Sequence, residues 1–299
     1  SNCKHCSAAG NRRSGCIDSH LAVQAVHEVS RQCKLESLMT FGGEPLLFPE
    51  TVFAIHQAAK ECGVKQRDII TNGCLRGDSE RIAQVAQQLC QSGVTCVLLS
   101  VDAFHAEHLS LQRQHLFAKA LLDAGIPEVK LHPAWLVGEE ADNPYNRETR
   151  RCLESFSDLP IPISSGNVVF PSGNAKKYLA DYFPPEPSKE EKDRAMHEFR
   201  CGQAPYTSRL DELDCLSIEP DGEVMACAFP IGNLNQKPMS QILNDFRPNE
   251  DPYMSCLIHG SVADLCRYAV QEGMDPNLIQ HDTPCAACYA VAMWRKNRQ

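Results

Sequence analysis

The stretch Leu38-Met39-Thr40-Phe41-Gly42-Gly43-Glu44-Pro45-Leu46-Leu47 decides how this chain is read. Leu38 to Phe41 is short and mostly apolar, the pattern of a buried strand, and Gly-Gly-Glu-Pro ends it abruptly. The two glycines remove side chains that would keep a ligand away from main-chain N–H and C=O groups. Glu44 adds an acceptor and Pro45 stiffens the exit. Taken alone, the turn is equally an ordinary strand-to-helix connection.

Working outward, Cys3-Lys4-His5-Cys6 stands about one βα unit upstream. With this pair the chain resembles the radical S-adenosylmethionine enzymes, whose signature is Cys-x3-Cys-x2-Cys followed by a Gly-Gly-Glu-Pro strand end. Cys3 and Cys6 have the spacing of the second and third ligands, and the first would lie two residues before Ser1. The chain also lacks an initiator Met, so the reading expects an N-terminally truncated, inactive fragment without the first barrel strand and one cluster ligand.

The resemblance implies a [4Fe–4S] cluster on three thiolates, with S-adenosylmethionine chelating the open iron. An electron from a reductant such as ferredoxin or flavodoxin then releases methionine and a 5'-deoxyadenosyl radical, which takes hydrogen from substrate; the cofactor carries the hard chemistry and the protein positions it. It also implies that Gly42, Gly43, Glu44, Pro45, Thr71 and Asn72 contact the cofactor, and that Ser100 and Asp102 approach its ribose. An N-cap role competes for Ser100 and Asp102. His105 follows the same strand. His132, Trp135 and Asn167 are candidates for the substrate end, with packing and turns as the alternative. A zinc knuckle on Cys3 and Cys6 is the competing reading of that pair, but it does not explain Gly42 to Pro45.

Composition narrows the class. At 299 residues the chain can hold a large α/β domain and a smaller one, and 43% hydrophobic with 22% charged residues is ordinary for a soluble globular protein. A formal net charge of -9 argues against nucleic acid as a partner. No apolar run approaches the ~18 residues of a membrane span. Sixteen cysteines, with Cys-x2-Cys pairs at both ends, fit reduced metal-binding thiolates in the cytoplasm better than disulfides. Cys33, Cys62, Cys90, Cys96 and Cys152 sit in apolar patterns and read as small core residues.

Along the chain the expected order is a helix over 17–33 with Asp18 or Ser19 as N-cap, a strand at 38–41 and a helix over 50–62. A strand from Asp68 runs into the Thr71-Asn72-Gly73 turn. A helix near 78–91, a strand at 95–101, a helix near 107–124 and a strand at 129–137 follow. A polar insert, 138–147, precedes a short helix and a last strand at 161–170. Alternating strands and helices imply a parallel sheet. With a first strand restored, this resembles the family's partial (βα)6 barrel, assigned to 1–183.

The proline- and charge-rich stretch from Pro184 reads as a connector, 184–200. Beyond it lies a small Cys-rich α+β extension, 201–299. There Pro220-Asp221-Gly222 separates two short runs, a hairpin signal, and the second run ends on Cys227. Gly222-x4-Cys227 followed by Cys285-x2-Cys288 resembles the single-cluster Twitch form of the SPASM extension. This implies an auxiliary [4Fe–4S] cluster on Cys227, Cys285, Cys288 and a fourth thiolate. Cys201 is favoured for that place and Cys215 is held in reserve; a four-cysteine zinc site is the alternative. Cys256 and Cys266 fit no ligand spacing. The implied activity is hydrogen abstraction from a peptide, protein or small-metabolite substrate, with a non-catalytic iron–sulfur or zinc scaffold as the rival reading.

Overall fold

In the computed structural model, which describes residues 3–6, 15–75, 77–203, 207–279 and 283–298, the contacts divide the chain into Ser1–Pro184 and Pro185–Gln299. The first unit alternates helix and strand: α1 Ser19–Gln32, β1 Ser37–Thr40, α2 Pro49–Glu61, β2 Gln66–Thr71, α3 Ser79–Ser92, β3 Cys96–Leu99. It continues with α4 Ala103–Ala106, α5 Leu111–Asp123, β4 Glu128–Leu131, β5 Ala134–Leu136, α6 Pro144–Glu154, β6 Asn167–Val169 and α7 Gly173–Tyr178. Local chemistry sets the starts. Asp18, Asp78 and Asn143 each accept a hydrogen bond from a first-turn N–H of α1, α3 and α6, as N-caps do.

Strands β1 to β4 pair in sequence order and all run parallel. The register places Thr40, Ile69, Val97 and Val129 in one row. The isoleucine and both valines of that row are buried and join α2, α3 and α5 residues in one apolar core. The next row, on the opposite face, runs Met39, Asp68, Cys96, Glu128. The strand ends therefore line up, which brings Gly42, Thr71, Ser100 and His132 to one rim.

Three expected elements divide. The single helix near 107–124 is two helices: Asp102 caps α4 through Phe104 N and His105 N, and α5 starts afresh after Ser110. The strand at 129–137 breaks at Pro133, which has no N–H for a ladder; β5 pairs with β6 in a separate parallel pair. The strand at 161–170 reaches β4 only through a bridge between Leu131 and Ile163 and resumes as β6. Between them Gly166 has φ +69, and a Cβ there would lie 2.2 Å from Pro133 O, so only glycine fits this crossing. The stretch 138–147 is partly helical, since α6 begins at Pro144.

The second unit carries α8 Lys189–Glu198, β7 Ser217–Ile218, β8 Glu223–Ala226, β9 Phe229–Asn233, α9 Met239–Asp245, α10 Pro252–His259, α11 Val262–Gln271 and α12 Pro284–Lys296. Strands β7, β8 and β9 form an antiparallel meander, and the βα alternation has stopped. The stretch expected as a connector holds α8, opened by a Ser188–Glu191 capping box and tied to the second core through Met196. That core joins α10, α11 and α12 through Leu257, Leu265 and Val291.

His56 on α2 is fully buried, and its Nε2 lies 3.0 Å from Thr40 Oγ1. Its Nδ1 has no partner. Burial, aided by Arg67, pulls its pKa down to about 4. Because the folded pKa is depressed, the unfolded chain takes up the proton first, and stability falls as pH drops from about 6.5 towards 4. The lowered pKa predicts that about 3 kcal/mol of stability is lost across this window. Urea unfolding at several pH values should show that slope, and His56→Leu should remove His56's share of it.

Candidate functional site

At the rim of the parallel sheet, Gly42 has φ +104, and a Cβ built on Gly42 or Gly43 would meet nothing within 4 Å. Among the described residues the turn is therefore open on the side where side chains would stand. Glu44 holds it there. Its Oε1 accepts from Thr71 Oγ1 at 2.6 Å and from Leu46 N at 3.0 Å, and its Oε2 accepts from Asn72 N at 2.8 Å. Burial raises the Glu44 pKa, and these three donors only partly offset the shift. Glu44 thus serves as a half-buried strap between the ends of β1 and β2, and both its oxygens are engaged.

The neighbouring residues are organised in the same way. The Thr71 hydroxyl also accepts from Gly73 N at 3.0 Å, and Asn72 Oδ1 accepts from Cys74 N at 2.8 Å. Ser100 is buried, and its N–H donates to Thr71 O at 2.8 Å. Asp102, 1% exposed, accepts from Phe104 N and His105 N through Oδ1, and from Ala134 N through Oδ2. Its Oδ2 also meets His105 Nδ1 at 2.8 Å. Burial opposes the charge on both partners, yet each holds the other ionised: the Asp102 pKa lies below its ordinary value, and Asp102 with Glu44 keeps His105 above its own. The N-cap role considered for Asp102 is the one its geometry shows.

Cys3 is buried and Cys6 half-buried, in a turn closed by Cys6 N donating to Cys3 O at 3.2 Å. Between them, the His5 ring packs 4.7 Å from Phe104 and 5.1 Å from His105. Lys4 pairs with Glu107 at 2.7 Å. The cysteine loop therefore leans on α4, the helix that Asp102 caps. Cys3 and Cys6 are two of the three thiolates that the resemblance calls for.

His132 and Asn167, separate in sequence, meet at the same rim. Asn167 Nδ2 donates to His132 Nε2 at 2.8 Å, while His132 Nδ1 lies 2.8 Å from Ser164 Oγ. Since Ser164 Oγ donates to Leu131 O, it accepts from His132 Nδ1–H, which fixes a neutral tautomer. Burial lowers the His132 pKa in agreement. Trp135 lies elsewhere, buried in the helix-side core with Arg150 over its ring.

Sequence reasoning missed Gln114 and Asn174. Gln114 Nε2 joins Asn72 O and Ser100 O at 2.8 and 2.9 Å, tying two strand ends together. A glutamine on the apolar stripe Leu111, Gln114, Phe117, Leu121 was the available signal.

In the second unit, the auxiliary candidates come from three places. Cys227 sits at the tip of the β8–β9 hairpin with φ 51, a conformation that favours glycine. Cys285 and Cys288 occupy the first turns of α12, after Thr283 caps it. Cys201 lies on the loop after α8, its Sγ 3.8 Å from Ser208 O. Burial raises the pKa of all four thiols, and each feels at least one of the others. Cys288, half-buried, feels Cys227, Cys201, Cys285 and Cys266 together. Cys215, exposed as Cys227 and Cys285 are, acts on Cys227.

Among the described residues no group of three or more His, Cys, Asp or Glu side chains is gathered as a single-ion site. Cys256 and Cys266 pack in the second core. Of the other cysteines expected in cores, Cys96 and Cys152 are buried, Cys62 and Cys90 half-buried, and Cys33 is exposed because it closes α1 at the surface.

Residues 211–268 match the SPASM iron–sulfur cluster-binding domain. No curated protein matches the chain in sequence. Among solved structures, native anSMEcpe with bound AdoMet is similar at 14% identity and a TM-score of 0.50, covering 99% of this chain and 94% of that one. BtrN in complex with AdoMet and 2-DOIA is similar at 15% identity and a TM-score of 0.45, covering 89% and 86%. Coproporphyrinogen III oxidase (HemN) from Escherichia coli, described as a radical SAM enzyme, is similar at 10% identity and a TM-score of 0.42, covering 69% and 53%. The chain has an α/β fold with a parallel sheet like that of anSMEcpe, and a SPASM segment over 211–268. Among the described residues no helix is long and apolar enough to cross a membrane.

The strap makes a direct prediction. Glu44→Gln keeps the shape but turns an amide NH2 towards donors, so it should lower unfolding stability by about 2 kcal/mol. Urea unfolding followed by far-UV circular dichroism measures this, and the loss should equal that of Thr71→Val within a factor of about two.

Proposed function

We propose that this chain, with the radical S-adenosylmethionine fold and a SPASM segment, belongs to an enzyme that cleaves S-adenosylmethionine reductively and abstracts hydrogen from a peptide, protein or small-metabolite substrate. The observation that carries this reading is the Gly42-Gly43 turn, open to free space and held by the Glu44 strap. Such a turn offers main-chain N–H and C=O groups to the amino and carboxylate ends of an amino-acid-like cofactor. When bound, the [4Fe–4S] cluster and the cofactor supply the electron transfer and the hydrogen abstraction.

The chain's own residues do the positioning. Cys3 and Cys6 contribute two thiolates to the first cluster. Gly42, Gly43 and Pro45 offer the cradle, which Glu44, Thr71 and Asn72 shape from behind. Ser100 stands beside it on the next strand, and Asp102 sets the orientation of His105 and of the helix on which the cysteine loop rests. Cys201, Cys227, Cys285 and Cys288 hold an auxiliary [4Fe–4S] cluster in the second unit. A ferredoxin- or flavodoxin-type reductant delivers the electron.

Two measurements test this. Protein that includes the motif's first cysteine, reconstituted anaerobically, should release 5'-deoxyadenosine under a strong reductant, and failure to bind either iron or cofactor sinks the reading. Replacing Cys201, Cys227, Cys285 or Cys288 with Ala should each remove about four irons per chain, while Cys215→Ala removes none. Loss in Cys215→Ala with full iron in Cys201→Ala would reverse the ligand assignment.

A further inference from the structure

The Cys3–Cys6 loop is fixed from a distant part of the chain. Asn174, the second residue of α7, donates its side-chain Nδ2 to Cys3 O at 3.0 Å and its backbone N–H to Cys6 O at 3.0 Å. The side-chain bond spans 171 positions of sequence. One residue thus grips the carbonyl on either end of the loop, and holding each carbonyl restrains the backbone from which the Cα–Cβ bond of that cysteine projects.

The other supports are of a different kind. Lys4 and Glu107 form a partly exposed ion pair, worth little by itself. His5 rests by ring contact on Phe104 and His105, which fixes the middle of the loop rather than its ends. Asn174 is held in turn by α7, whose Ala175, with Leu179 just after the helix, is buried in a core with Phe104, Ala134 and Val169. The donor is therefore delivered by a packed element.

We propose that Asn174 is the positioning residue of the Cys3–Cys6 loop: its paired donors hold the two cysteine carbonyls and so keep the loop backbone, and with it the two Cα–Cβ bonds, in one arrangement. The proposal adds a residue to the cluster-loop reading given above, yet it is tested without iron or cofactor, so the two can fail separately. Cys3 is 5% exposed and can be alkylated only when the loop opens. In the full chain, with thiols reduced and metal chelated, iodoacetamide labelling resolved by peptide mass gives the rate at each cysteine.

Asn174→Ala, and the isosteric Asn174→Asp should the first fold poorly, are expected to speed labelling at Cys3 about five-fold, the change expected for losing one ordinary hydrogen bond. Exposed Cys33 and core Cys152 should keep their wild-type rates. Asn174→Gln, which retains an amide donor, should restore much of the protection. An unchanged Cys3 rate overturns the proposal. So does an equal acceleration at Cys152, which would mean that Asn174 supports general stability rather than the loop.

Discussion

A half-buried carboxylate governs the first unit. Glu44 sits in a strand-end turn where burial disfavours its charge, and it remains there because Thr71, Asn72 and Leu46 supply donors to both oxygens. An unsatisfied carboxylate at that depth would be costly, so the ends of β1 and β2 are obliged to meet in one arrangement. The open glycine turn follows from that arrangement. Without a strap, two consecutive glycines would sample many conformations; with it, their backbone is presented in one. The second carboxylate, Asp102, does the same for the next strand end by capping α4 and orienting His105.

The second unit uses a related device. Its cysteines lie on a hairpin tip, a loop and the first turns of a helix, none of which is rigid by itself. Helix α12 is fixed by Arg295, which grips Asp251 with both nitrogens at 2.8 and 2.5 Å, and by Lys296, which meets the buried Glu223 at 2.8 Å. Glu223 opens β8, the strand that ends at Cys227. The ion pair therefore links the helix carrying Cys285 and Cys288 to the strand leading to Cys227. Partly buried pairs of this kind are geometrically demanding.

Much of this was legible in the sequence. The βα alternation, the strand before Gly42 and the Asp221-Gly222 hairpin follow from local pattern, and the structure carries all three. The splits at Pro133 and at Ser110 were harder, because a strand or helix pattern read in a window does not weigh one missing N–H or one renewed cap. At the site, Asp102, Thr71 and Asn72 read as ligand contacts, and the structure shows that Asp102 Oδ1, Thr71 Oγ1 and Asn72 Oδ1 also bond within the chain. Distinguishing the two needs the partners, and those come from other strands. Asn174 lay beyond reach for the same reason: nothing near it in sequence announces Cys3.

The central claim is that the Gly42-Gly43 backbone is a cofactor cradle, and Gly43 allows a clean test. It has no positive φ, and a side chain there would meet nothing within 4 Å, so Gly43→Val should leave the fold intact while filling the space above the turn. Equilibrium dialysis of S-adenosylmethionine against anaerobically reconstituted protein that includes the motif's first cysteine measures the consequence. The account predicts about one cofactor bound per chain and at least a ten-fold weaker affinity in Gly43→Val, about 1.4 kcal/mol, with an unchanged circular dichroism spectrum. Equal affinity in the two proteins would contradict it.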